Sequence, residues 1–141
     1  MRWPGRVVAL GVVLTAPALA DQPAATSYQH PAAAYQDYCA RCHGPGAEGS
    51  EPFFPSLLRV TASREPDDVM RVVLDGKFDR GGELDGHTIP LMPPKDYLPD
   101  QVIAGIVNYL YQQAGQEDVQ ISASDVARIR AEGAAEIPAD D

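Results

Sequence analysis

Cysteine is scarce in this chain: of 141 residues only Cys39 and Cys42 carry a thiol. A framework of several disulfides is therefore excluded. Basic residues are few as well, eleven Lys and Arg against twenty Asp and Glu, a formal net charge of −9. Such a balance argues against binding nucleic acid or an anionic membrane surface, since both need a positive face. Beyond the N-terminus no apolar run approaches the roughly 20 residues a helix needs to cross a bilayer. Strong alternation of apolar and polar residues is also missing, so no strand is predicted.

The N-terminus itself is distinctive. Arg2 and Arg6 precede an apolar stretch, Val7 to Leu14, and Ala18-Leu19-Ala20 follows. A basic start, a short apolar core and an A-x-A site have the form of a secretory signal peptide, assigned to residues 1–20. Cleavage there removes 20 of 141 residues, two Arg and no acidic residue, leaving 121 residues with net charge −11. The mature chain is expected in the periplasm, without a membrane span, as one small domain. Thirteen prolines and twelve glycines make it loop-rich. A small loop-rich domain needs a staple, and a large apolar cofactor is one.

Residues 21–30 are read as a flexible lead-in, 31–115 as the domain and 116–141 as an extension. Pro31 suits the first position of a helix running to Cys39. Residues 44–56, rich in Gly and Pro, are expected to be a loop. A second helix is predicted from Glu65 to Asp75, with Asp67 and Asp68 in its first turn and Gly76 at its end. Residues 76–99 hold turn formers without helical period and are expected to form a long loop. The clearest helix is predicted over Asp100 to Gln113, where Val102, Ile103, Ile106, Val107, Tyr109 and Leu110 make one apolar stripe. A short last helix, Ser122 to Ala131, has Ser122 as its cap and Ile121 with Val126 as a staple. The tail beyond is acidic and expected to be disordered.

Cys39-Ala40-Arg41-Cys42-His43 is C-x-x-C-H, the attachment pattern of c-type haem. Two thiols three positions apart on a tight turn can reach the two vinyl groups on one porphyrin edge, and the next residue can offer its imidazole to the iron. A redox dithiol normally sits in a βαβ context, which the predicted elements lack. Zinc needs four ligands, and this cluster has three. A disulfide would close only a tiny ring. One covalent haem c through Cys39 and Cys42, with His43 on the iron, is the reading adopted. The sixth ligand has four candidates. Met70 reads as core of the second helix, and His30 precedes the first. Met92 is stiffened by Pro93 and Pro94 and is preferred, with His87, five residues earlier, next. Two filled axial positions leave the iron to exchange electrons and do nothing else, so an electron carrier and not an enzyme is expected.

These features resemble the class I mono-haem cytochromes c, over roughly Tyr35 to Gly115. Tyr35 stands four residues before the first cysteine, CARCHG (39–44) matches the haem motif, Pro55-Ser56-Leu57 looks like P-x-L, and Met92-Pro93-Pro94 looks like the distal M-P-P. The resemblance implies an all-α, cytochrome c-like fold, its N- and C-terminal helices crossing with Tyr35 and Tyr109 nearby, and loops wrapping one covalent haem. It implies that the Pro55 carbonyl accepts the N–H of His43 and that Leu57 packs on the haem. The family's small residue eight before the first cysteine is Pro31 here, so close crossing is expected to rely on Ala32 or Ala34. Pro99 replaces the usual Ser or Thr cap of the last helix, which leaves Asp100 to cap one residue late. The segment 121–131 looks like that of cytochromes serving periplasmic dehydrogenases.

The expected function is periplasmic electron transfer by one haem c cycling between Fe(II) and Fe(III). Its partners would be redox proteins, a periplasmic dehydrogenase on one side and a terminal oxidase or reductase on the other. The competing readings are a cytochrome subunit held in a dehydrogenase or reductase complex, and a haem sensor with a labile sixth ligand.

Overall fold

The computed structural model describes residues 30–84 and 87–133. The signal peptide, most of the lead-in and the acidic end of the tail lie outside the described residues. In chain order the elements are α1 (Pro31–Tyr38), α2 (Ala40–His43), α3 (Leu57–Ser63), α4 (Pro66–Asp75), β1 (Lys77–Leu84), β2 (His87–Met92), α5 (Asp100–Gln113) and α6 (Ala123–Glu132). None of these helices is long and apolar enough to cross a membrane.

α5 is the spine. Its bounds are those the apolar stripe predicts, and Val102, Ile103, Ile106, Val107 and Leu110 are all buried. α1, α3, α4 and α6 each pack on it. α1 meets it through Tyr35, whose ring lies 5.4 Å from that of Tyr109. Close approach relies on Ala34, which is buried, and not on Ala32, which is exposed. The second small residue at this contact is on the other helix. A Cβ on Gly105 would meet Pro31 Cγ at 3.4 Å, so the proline ring fills the space a side chain would occupy.

α4 lays Val69, Met70, Val73 and Leu74 into the core, and Met70 is 1% exposed, a packing residue as its neighbours suggest. α6 closes the far side with Val126 and Ile129. Its start is a full capping box: Ser122 accepts from the Asp125 N–H, and the Asp125 carboxylate accepts from the Ser122 N–H. The side chain of Asn108 clasps the residue before it, donating to the Ile121 carbonyl at 2.7 Å and accepting from the Ile121 N–H at 2.8 Å.

Two expectations are corrected, and one helix is added where none was predicted. The stretch 76–99 is not all loop: β1 and β2 pair antiparallel, with Lys77 opposite Met92 and Leu84 opposite His87. Pairing satisfies the backbone there without an amphipathic pattern. The stretch after Pro55 contains α3, masked in the sequence because its deepest residue is polar. Thr61 is buried and returns its hydroxyl to the Leu57 carbonyl at 2.9 Å. Asp100 does not cap α5. Pro99 holds the cap position with no side-chain bond, and the Asp100 carboxylate instead accepts from Arg130 at 2.9 Å.

Candidate functional site

α1 stops at Cys39 because that residue leaves helical geometry, at φ −125° and ψ −38°. The chain then re-enters one tight turn. The Cys39 carbonyl accepts from both Cys42 N–H and His43 N–H, at 3.1 and 3.0 Å, so the two thiols and the imidazole spring from a single turn. Tyr35 anchors it from α1, its hydroxyl donating to the Gly44 carbonyl at 2.6 Å. Burial pushes the Tyr35 phenol up to about 12.

Both cysteines are free, Cys39 partly buried and Cys42 exposed. Burial pushes the Cys39 thiol up to about 11, against the pull of the Lys95 ammonium, so it stands protonated near neutral pH.

His43 is 7% exposed. Its Nδ1 lies 3.0 Å from the Pro55 carbonyl. A carbonyl can only accept, so Nδ1 carries a proton there, which leaves Nε2 as the nitrogen with which the ring could ligate a metal. Residues 44–56 fold back to bring Pro55 there. Gly49 N–H donates to the His43 carbonyl at 2.8 Å, and Ser50 and Phe54 exchange backbone bonds at 2.7 and 2.9 Å. Glycine is required at 49: φ is +76°, and a Cβ would stand 2.5 Å from the Pro55 carbonyl carbon. The Phe54 ring meets the imidazole edge-on, with centroids 6.4 Å apart.

Leu57, the first residue of α3, is partly buried against the core. Met92 ends β2 and is partly buried. Its backbone packs so closely on Gly76 that a Cβ there would lie 2.4 Å from the Met92 carbonyl oxygen. Three residues on, Lys95 N–H donates to the Val73 carbonyl at 2.9 Å. The segment bearing Met92 is thus seated on the end of α4. His30 is exposed at the start of α1. His87 lies in β2, and its side chain is outside the described residues. Gly49 and Phe54 were not singled out by sequence reasoning, and Gly76 was read only as the end of the second helix. Only the turn context of the two glycines could have marked them.

The donor set suits a haem. It offers an oriented imidazole and two free thiols from one turn, and a thioether from the segment that ends β2. Among the described residues no three His, Cys, Asp or Glu side chains gather as ligands for a bare metal ion. The large hydrophobic side chains left exposed among the described residues are Phe53, Phe54, Phe78, Leu91 and Tyr97. All come from the loop that delivers Pro55 and from the segments around Met92. That is apolar surface the polypeptide leaves uncovered, on the segments that would border a large apolar group.

Residues 26–110 match the family described as cytochrome c oxidase, cbb3-type, subunit III. The chain is also similar to the fructose dehydrogenase cytochrome subunit of Gluconobacter japonicus, with 34% identity over 110 residues, 72% of this chain. The aligned part is 22% of that relative's length.

Proposed function

The chain belongs to the mono-haem cytochrome c family and is an electron carrier whose cofactor is haem c; from that premise we propose that it holds a single haem through thioethers to Cys39 and Cys42, with His43 and Met92 as the iron's two axial ligands. When bound, the haem supplies an iron that accepts and releases one electron between Fe(III) and Fe(II). The observation that carries this reading is the turn Cys39–His43, with both thiols free and the His43 ring already oriented by Pro55.

Each residue has a distinct task. The Pro55 carbonyl fixes the imidazole tautomer and makes Nε2 a better donor. The Met92 thioether favours the reduced iron and raises the potential. Phe54 sets its ring edge-on to His43, and Leu57, two residues after Pro55, would offer apolar surface to the haem. With both axial positions filled, small molecules are shut out and a sensor role is disfavoured.

We place the mature protein in the periplasm, after cleavage of residues 1–20. Its donor is read as a dehydrogenase and its acceptor as a terminal oxidase or reductase. The first is supported by the relative named as a dehydrogenase's cytochrome subunit, the second by the oxidase in the family's description. The same relative favours a second reading, a cytochrome subunit held within such a complex. An enzyme that co-purifies with the native protein would select it, and a free monomer with exchangeable partners would reject it.

The decisive experiment is a redox titration with spectra on the purified holoprotein. Its intact mass should exceed that of the mature chain by one haem. The oxidised form should show the weak band near the red edge that marks methionine on iron. Met92→Ala should lose that band and lower the potential. A variant with band and potential unchanged would exclude Met92 as the ligand.

A further inference from the structure

The last helix makes two kinds of polar contact, and they point in different directions. Arg128 pairs with carboxylates, forking onto both oxygens of Asp67 at 3.0 Å and reaching Glu132 at 3.0 Å. The bonds to Asp67 tie α6 to the start of α4, and the one to Glu132 lies within α6. Arg130, two residues on, divides its bonds evenly between backbone carbonyls and one carboxylate. Its Nη1 donates to the Asp96 carbonyl at 2.6 Å and its Nη2 to the Leu98 carbonyl at 3.0 Å, while Nε and Nη2 hold Asp100 Oδ1 at 3.1 and 2.9 Å.

Asp96 and Leu98 belong to the short connection from Met92 to α5. The connection is fixed at three points. Lys95 N–H is bonded to the Val73 carbonyl on α4, the Leu98 side chain is 3% exposed in the core, and the guanidinium of Arg130 spans the carbonyls of residues 96 and 98. Two prolines, Pro93 and Pro94, lie between Met92 and the first of these points and transmit position with little slack. A planar guanidinium with several donors in a fixed fork suits this task, and its bonds are charge-assisted.

We propose that Arg130 is a positioning residue for the sixth iron ligand: it holds the connection after Met92 closed, so that the thioether stays on the iron. This rests on Met92 being the axial ligand. The C-terminal extension is then part of the haem-binding machinery through one side chain, without touching the haem.

The test uses ferric holoprotein and free imidazole, which binds the iron only when the methionine leaves. Its apparent affinity reports the fraction of molecules in which the Met92 segment is open. Arg130→Ala should bind imidazole about fivefold to tenfold more tightly than the unaltered protein, since a larger fraction is open. Arg130→Lys, which keeps the charge and loses the fork, should fall between them and serves if the alanine variant does not accumulate. Arg128→Ala is the control. It should lower thermal stability, as loss of any docking contact does, and leave imidazole affinity unchanged. Equal affinities in the Arg130 variants and the unaltered protein, or equal gains in the Arg128 and Arg130 variants, would overturn the proposal. Met92→Ala separates the two levels. If it keeps the near-red band, the axial assignment and this inference fall together. If it loses the band while Arg130→Ala leaves imidazole affinity unmoved, only this inference falls.

Discussion

The turn Cys39–His43 and the helix Ala123–Glu132 are both short segments laid against the same helical core, yet they are finished in different ways. The helix is complete as polypeptide. Its first turn is capped, Val126 and Ile129 are fully buried, and Arg128 and Arg130 are matched to acceptors on α4 and on the connection before α5. The turn is held by backbone bonds, the Tyr35 hydroxyl and one imidazole contact. Its Cys42 is exposed, and the loop that follows leaves Phe53 82% exposed. One region obtains its stability from side chains in its own sequence. The other keeps reactive and apolar groups open, as a region does whose packing is completed by a bound cofactor.

The largest effect should separate them outright. Cys39→Ala or Cys42→Ala should leave little stable holoprotein, read as haem stain and yield from exported material. Normal stain and yield from both variants would show that the turn is complete without thioethers and erase the contrast. Next comes the helix. Ile129→Ala removes a fully buried side chain and should cost about 3 kcal/mol in denaturant unfolding, with the haem still attached. A loss under about 1 kcal/mol would mean that the helix is docked by its ion pairs and not by its apolar face.

The smallest effect is the response to acid. Bonds from Arg71 and Arg128 hold the Glu132 carboxyl below its ordinary 4.5, and the bonds from Ser122 hold Asp125 below 3.8. Depressed carboxylates contribute stability that is present above those ordinary values and is lost as pH falls through the depressed ones. Amide exchange in α6 should therefore speed up selectively between about pH 4.5 and lower values, while the amides of Cys42 and His43, bonded only to backbone, stay protected. Equal loss in both segments would show that acid loosens the whole molecule and not the ion-paired helix.

What could be seen in the sequence follows from range. The C-x-x-C-H turn and the spine helix are local patterns, and both stand where the residues put them. The Pro55 contact to His43 spans twelve positions and was reached through the family resemblance, not through any local rule. α3 escaped because a buried threonine that bonds its own helix looks like a surface residue. The hairpin escaped because Phe78 and Pro90 meet across it without an alternating pattern on either side. Asp100 has the chemistry of a cap, and only a partner thirty residues away in Arg130 shows why it does not act as one. Arg130 carries no signal of its own in a stretch that reads as an appendage.

The two-pronged grip of Asn108 on Ile121 bears on how this extension tolerates change. Where the segment lands is set at Ile121; before it Gln116 is bonded to the Thr61 carbonyl at 3.1 Å and Val119 packs on the core, which leaves the exposed Glu117 and Asp118 as the place with room to vary. Lengthening a flexible connection costs little, about 0.6 kcal/mol for each doubling. A few residues inserted between the exposed Glu117 and Asp118 would leave the helix seated and Arg130 in reach of its carbonyls. That connection is the natural seam at which this chain can accept a graft, a tag or a peptide linker without disturbing His43 or the segment that bears Met92.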